Sequence, residues 1–410
     1  MKKIILIMLM ISCSVKLFGY YASENFIDFL VHSNQVRVRT DRLGVLAGPS
    51  NVRVAVGLTS ANSLADFIID NLENSKLTNA VWRFTPSVLA GVGYDSDLFG
   101  IGVGYEYTWK NDSYMIHTPV ITATALNDSF RINIPISIGL GYKSSLVDTD
   151  LRGTRVISTA VEARYYFPKE MPVLSHLRFY FNYGNAYVKN VRDNAQYFEQ
   201  SSLGIQARIY FKIETPDVLI EPILRVQYDQ SLATKYNLAD GLYSIDRIRD
   251  NFAITAKGFT PYWPTIGPGT PSGAQGDPSA NGQLQGGYLS PLPGGYYAVE
   301  PYRVGVAIPV GFTAASLDEN IHFYLEPALS FTMIGGKHLY QSGFENSPER
   351  KTPFMALGYV VYGELYIRPV KSLEWYFEIQ TGGVTIADSL KNAGSTELVL
   401  NGATGITYYF

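Results

Sequence analysis

The side chains most able to do chemistry in this chain recur two residues apart. Gln206, Arg208, Tyr210 and Lys212 interleave with Ile205, Ala207, Ile209, Phe211 and Ile213; Glu221, Arg225, Gln227 and Asp229 interleave with Ile220, Pro222, Leu224, Val226 and Tyr228. Extended backbone sends alternate residues to opposite faces, so this spacing gathers charge on one surface and apolar groups on the other. If the apolar face meets lipid, the charged face lines an enclosed lumen. The candidate pore-lining residues are then Arg131, Lys143, Arg164, Arg178, Arg208, Lys212 and Arg225 from the middle of the chain. Glu326, Glu364, Glu374 and Glu378 come from its later part. A basic arc facing an acidic arc makes a transverse field of the kind water-filled pores use to orient polar solutes. A second reading stays open, because register cannot be read from spacing: neighbouring charges, such as Glu162 with the cross-strand partners of Arg164, pair up and fill a narrow lumen.

Other chemistry is poorly supplied. The five histidines, His32, His117, His176, His322 and His338, lack metal-ligand spacing, so no metal and no cofactor is expected. No nucleophile elbow, P-loop or dinucleotide fingerprint occurs, and an enzyme is not expected. Gly100-Ile101-Gly102-Val103-Gly104 alternates inside a strand pattern, which suits close packing better than phosphate binding.

The elements that must position these residues are strands of unusual length. Phe130, Ile132, Ile134, Ile136, Ile138, Leu140 and Tyr142 form one face, opposite Arg131, Asn133, Ser137, Gly139, Gly141 and Lys143. Ile321, Phe323, Leu325, Leu329 and Phe331 alternate with His322, Tyr324, Glu326, Ser330 and Thr332. Soluble strands average about five or six residues; these patterns run about ten to fifteen, the reach of tilted strands crossing a hydrocarbon layer. Further strands are expected at 51–58, 80–94, 98–109, 114–125, 154–167, 175–187, 297–313, 353–368, 373–386 and 396–410. The fold class is therefore all-β, a transmembrane antiparallel β-barrel of about 14 strands. Sixteen is the alternative if Val36–Arg39 is a strand or the 231–296 loop hides a pair.

Connections alternate in length. Short turns fall near 95–98, 127–129, 168–175, 215–216, 317–320 and 369–372, and longer polar loops at 143–153, 188–199, 231–296, 335–352 and 387–395. That asymmetry is expected of a barrel whose C-terminus lies at the periplasmic rim. Residues 61–74 read as a short amphipathic helix over the mouth, with Leu64, Phe67, Ile68 and Leu72 on one stripe. Pro86, Pro119, Pro135, Pro222, Pro309 and Pro327 each remove a ladder donor, and bulges are the expected accommodation.

Charged residues are only 17% of the 410, with 30 Tyr, 21 Phe and 37 Gly, a strand- and turn-rich composition. Mean hydropathy is +0.01, as when a lipid face is averaged with a polar interior. Net charge is −3, which gives no electrostatic case for nucleic acid. Met1-Lys2-Lys3 followed by Ile4–Ile11 reads as a signal peptide over 1–19, leaving a barrel over 20–410. Cys13, the single cysteine, lies inside it, so no disulfide forms; cleavage after Gly19 or Ala22 discards it, whereas a loose lipobox around it would have it acylated.

The chain ends Gly405-Ile406-Thr407-Tyr408-Tyr409-Phe410, with Ile406, Tyr408 and Phe410 on one face. This resembles the terminal-strand signature of bacterial outer-membrane barrels, and by that resemblance the barrel-assembly machinery reads these three residues. Aromatic triplets, Tyr105/Tyr107/Trp109, Tyr165/Tyr166/Phe167 and Trp375/Tyr376/Phe377, sit near strand ends and suit interfacial girdles. The Gly-, Pro- and Ser-rich loop 258–297 lacks the periodicity to fold alone. Turned inward it constricts a pore; turned outward it displays an antigenic or adhesive surface.

Asn25-Phe26-Ile27-Asp28-Phe29-Leu30, then Asn34-Gln35-Val36-Arg37-Val38-Arg39 and Asp41-Arg42-Leu43-Gly44, resemble the start of the variable surface proteins of spirochaete outer membranes. That resemblance implies a surface-exposed antigen with variation in its outer loops, admits a homo-oligomer, and supplies no catalytic residues. The functional expectation is an outer-membrane barrel displaying loops, with passive porin-like diffusion. The alternatives are a transporter of hydrophobic or small polar solutes, or an adhesin. Expected partners are outer-membrane lipid, the assembly machinery and a host surface or antibody.

Overall fold

The computed structural model describes residues 26–40, 42–49, 51–60, 86–111, 113–143, 151–189, 196–236, 254–258, 296–316, 320–336, 338–341, 352–387 and 395–410. The expected signal peptide with Cys13, the expected helix at 61–74, residues 80–85 and most of the 258–297 loop lie outside these. Strands run β1 Gln35–Arg39, β2 Arg42–Ala47, β3 Val52–Ser60, β4 Pro86–Asp95, β5 Phe99–Asn111, β6 Tyr114–Ala125, β7 Phe130–Gly141, β8 Thr154–Tyr166, β9 Leu174–Lys189 and β10 Gln196–Phe211. They continue with β11 Ile213–Glu214, β12 Val218–Tyr236, β13 Tyr296–Val299, β14 Tyr302–Ala315, β15 Ile321–Gly335, β16 His338–Gln341, β17 Phe354–Val370, β18 Leu373–Ala387 and β19 Ser395–Tyr409.

Each barrel strand pairs antiparallel with its sequence neighbours, and β1 pairs with β19 from Gln35↔Tyr409 to Arg39↔Gly405, closing the sheet. Seventeen strands share that sheet; β11 is a two-residue continuation of β10, so the wall is sixteen strands. β13 and β16 form a separate ribbon between two loops. Sixteen is the alternative strand count, in place of the 14 first expected. The extra pair is the short β1–β2 hairpin, whose five and six residues are too few to show a sustained alternation; among the described residues of 231–296 only the end of β12 belongs to the barrel.

Burial is inverted relative to a soluble domain. Exposed side chains include Val56, Val103, Ile308, Leu329, Phe331, Leu357 and Ile379, whereas buried ones include Thr122, Asn133, Glu162, Gln206, Arg225, Gln227, Asp229, Arg303 and Glu326. A continuous exposed apolar surface of this size needs a lipid solvent. The two aromatic triplets of consecutive residues split by pleat, whereas Tyr105, Tyr107 and Trp109, spaced two apart, share the outer face. Tyr105, Trp375, Tyr408 and Phe410 are exposed on the outer face, while Tyr376 is buried, and Tyr166 stacks on His176, so those two leave the girdles.

Prolines are accommodated differently from the expectation. Register is unchanged across Pro135, where Asn133↔Glu162 and Ile136↔Thr159 belong to one alignment. The same holds at Pro222 and at Pro309. The ladder loses rungs there without inserting a residue. The shifts occur elsewhere, at Trp109/Asn111, Gln196/Phe198, Gln200/Ser202, Tyr210/Phe211 and Ile367/Val370.

Candidate lumenal site

Register brings five of the expected residues into one row. Arg131 stands opposite Arg164, Arg164 opposite Arg178, Arg178 opposite Arg208, and Arg208 opposite Arg225, across β7, β8, β9, β10 and β12. Like charges directly opposite repel, so such a row needs compensation. Aromatic faces supply part of it: Arg131 lies over Tyr166 at 4.8 Å, Arg178 over Tyr210 at 4.8 Å and Arg208 over Tyr180 at 4.7 Å. His176 is stacked between Tyr166 and Tyr210, at 5.1 and 3.8 Å. Gln206 accepts from Arg208 Nε at 2.6 Å, and Gln227 from Arg225 Nη2 at 2.9 Å. Arg164 Nε pairs with Glu162 at 2.6 Å.

The remaining compensation comes from outside the wall. Phe26–His32 forms a turn inside the barrel, with Phe29 N donating to Phe26 O and His32 N to Asp28 O, both at 3.1 Å. Asp28 Oδ1 accepts from Arg131 Nη1 at 2.8 Å, and Oδ2 from Arg164 Nη1 at 2.9 Å. Burial pushes the Asp28 carboxyl up, but Arg164, His32 and Arg131 together hold it below its ordinary value. Burial lowers His32, and Arg37, Arg131 and Arg164 lower it further against the pull of Asp28.

The glycine alternation explains how the turn fits. Gly91, Gly102 and Gly104 face it across β4 and β5; a Cβ would stand 2.7 Å from the Phe26 ring at Gly91 and 3.0 Å from Phe29 at Gly102. Phe26, Phe29 and Leu30 therefore lie directly on backbone, the phenyl rings edge-to-face at 5.6 Å. Close packing was the correct reading of that stripe. The plug itself was not anticipated, although the unalternating Phe26–Leu30 run was its visible signal. Between the plug and the β1–β3 wall lies a cavity of about 170 Å³ touched by Asp28, His32, Arg37 and Leu46.

A second insert comes from the long loop between β12 and β13. Ile254 and Ala256 pack against Tyr114, Ile116, Leu151, Val156 and Ala186. Ile254 N donates to Ser202 Oγ at 2.7 Å, Ala256 N to Ser158 Oγ at 2.9 Å, and Lys257 pairs with Glu106 at 2.8 Å. This insert sits near the long-loop ends of β5, β6 and β8–β10, and the Phe26–His32 plug near their short-turn ends.

The acidic residues gather on β15, β17 and β18. The Tyr362 hydroxyl lies between Glu364 and Glu378, 2.7 Å from the latter, and Tyr366 donates to Glu364 at 2.6 Å. Arg39 pairs with Glu378 at 2.7 Å and Arg368 with Glu374 at 2.6 Å; Glu326 is fully buried. On the ring, β17 is five strands from β9, where diametric opposition is eight. The two arcs are separated only by β14, whose Arg303 pairs with Asp229 at 2.7 Å. Lys143 is exposed past the end of β7, and Lys212 sits at the β10–β11 break, bonded to Lys169 O at 2.8 Å; both are rim positions. Among the described residues no group of His, Cys, Asp and Glu could hold a metal ion.

The family model described as Serpulina hyodysenteriae variable surface protein matches residues 2–409. No curated protein matches the sequence. Among solved structures, the chain is similar to a bacterial polysaccharide outer membrane secretin at 11% identity, over 90% of this chain and 89% of that one, with a TM-score of 0.42. It is also similar to in-vitro folded OmpT, an outer membrane protein of Vibrio cholerae, at 10% identity, over 92% and 96%, with a TM-score of 0.32. The outer membrane channel DcaP of Acinetobacter baumannii aligns at 8% identity, over 79% and 84%, with a TM-score of 0.32.

Proposed function

Because this chain belongs to the Serpulina hyodysenteriae variable surface protein family and is an outer-membrane β-barrel, we propose that it displays its long loops at the cell surface as an antigen and allows only restricted passive diffusion. The observation that carries the display role is the asymmetry of the connections. Residues 96–98, 126–129, 215–217 and 371–372 make short turns at one end, whereas 142–153, 237–295 and 388–394 are all joined at the other. Long connections on the outer side and short ones on the periplasmic side are the general arrangement of such barrels. The restricted lumen follows from its contents. The charged faces line the interior, much of that charge is paired, and two inserts lie against the β4–β10 half of the wall.

Single cysteines test the display reading, since the chain's own Cys13 falls in the segment expected to be removed. With Ser347→Cys on a long loop and Asn127→Cys on a short turn, a membrane-impermeant maleimide applied to intact cells is expected to label only the first. Labelling of position 127 with 347 protected overturns it. Planar-bilayer recording tests diffusion: small, infrequent conductance is expected, and none at all removes that part of the proposal.

A further inference from the structure

Asp28 does not belong to the wall it neutralises. Its carboxylate spans two guanidiniums, Oδ1 at 2.8 Å from Arg131 and 3.2 Å from Arg164, Oδ2 at 2.9 Å from Arg164. The rest of the turn lays its rings against glycine backbone, and its hydrogen bonds to the wall include Phe26 N to Asn133 Oδ1 and Thr122 Oγ1 to Phe26 O. The arginines, in contrast, are built into place. Arg131 presents one face to Tyr166, which itself stacks on His176, and turns its Nη1 edge to the carboxylate. A planar donor fork in a row of like charge is the arrangement that carboxylates and phosphates bind.

We propose that Arg131 and Arg164, flanked by Arg178 across the ladder, form an anion-binding site on the lumen wall which the chain's own Asp28 occupies, so that the Phe26–His32 turn is a tethered plug displaced by a polyvalent oxyanion. Phosphate, sulfate and di- or tricarboxylates share the required chemistry. The inference rests on the lumen-facing placement of these arginines in the function proposed above. The tether is short, since only Ser33 and Asn34 separate His32 from β1. The turn therefore swings aside within the lumen without leaving it. A group tethered this closely competes at millimolar effective concentration, so free anions exchange with it in that range.

The test uses the full chain refolded in detergent, with an environment-sensitive fluorophore on Ser33→Cys, an exposed position. Inorganic phosphate and citrate are titrated against sodium chloride at equal ionic strength. Phosphate is expected to loosen the label and chloride to leave it unchanged. Asp28→Asn is expected to raise the apparent phosphate affinity about tenfold, because the occluding carboxylate is gone, and Arg164→Gln to abolish the response. Heat-modifiable gel migration reports whether each variant is a folded barrel. If Asp28→Asn does not fold, the wild-type titration alone decides. A label blind to phosphate, or an Asp28→Asn barrel that binds phosphate no better than wild type, overturns the proposal. Binding is read in micelles, so a barrel that binds phosphate but never conducts sinks the diffusion reading and leaves this site standing. A barrel that conducts but ignores phosphate does the reverse.

Discussion

Lys257 Nζ lies 2.8 Å from Glu106 Oε1 across 151 residues of sequence, and the Glu106 side chain has no exposed surface. This ion pair adds charge to the hydrogen bonds of Ile254 and Ala256 in holding the longest loop against the inside of the wall. Removing the cation strands a buried carboxylate, which costs about 3 kcal/mol. Lys257→Met is expected to lower stability by roughly that much in urea unfolding from vesicles. The double variant Glu106→Gln/Lys257→Met recovers most of it. Equal loss in single and double variants would mean the loop is not held by charge.

The plug's seat has its own test. A side chain at Gly102 meets Phe29 and the Thr122 methyl, whereas one at Gly44 has no neighbour nearer than 3.5 Å. Gly102→Val is expected to dislodge the turn and expose the Phe26–Leu30 segment to protease in folded, detergent-solubilised protein. Gly44→Ala leaves it protected. Overpacking of this kind costs about 1–3 kcal/mol, so the barrel itself persists.

Acid loosens the plug and alkali does not. Both nearby groups on the turn have folded values below their unfolded ones: His32 below 6.5 and Asp28 below 3.8. By linkage the stabilisation from each is complete above its unfolded value and is lost as pH falls toward the folded one. The groups facing them are Arg37, Arg131 and Arg164. A spin label at Ser33 is expected to gain mobility in a first step below about pH 6.5 and a second below about pH 3.9. Mobility rising above pH 8 would contradict the assignment.

The lipid face is charge-intolerant. Leu329 is 61% exposed on β15. Leu329→Arg is expected to cost about 2–4 kcal/mol in bilayers if it lies near midplane, and about 0–1 kcal/mol near an interface. A stabilised bilayer-inserted barrel is the outcome that contradicts a lipid-facing Leu329.

Ile406 and Tyr408 are exposed on the outer face of β19, and Phe410 is exposed just past its end. Deleting Phe410 is expected to reduce the amount of assembled protein in cells several-fold while leaving refolding of purified chain into detergent nearly unchanged. A matching loss in both assays would place the effect in stability instead of recognition by the assembly machinery.

Legibility followed local periodicity. β7 and β15 were readable because a pleat imposes period two on any strand with one lipid face and one polar face, and Ile132, Ile134 and Ile136 announce it. β1 and β2 were too short to do so. The arginine row was invisible as a row. Each of Arg131, Arg164, Arg178, Arg208 and Arg225 could be assigned to an inner face, but only cross-strand register sets them at one height, and spacing along one strand carries no information about its neighbour. The plug was hidden for a related reason. Gly102 and Phe29, 73 positions apart, reveal their complementarity only when the fold brings them together.

The seam where β1 meets β19 begins two residues after the plug ends. Asn34 is fixed there on several sides, accepting from Phe410 N at 3.3 Å and from Arg53 at 3.0 Å and donating to Gly48 O at 3.2 Å. The residue that fastens the first strand to the last is thus also the root of the plug, so the seal of the cylinder and the anchorage of its cork share one short stretch of chain.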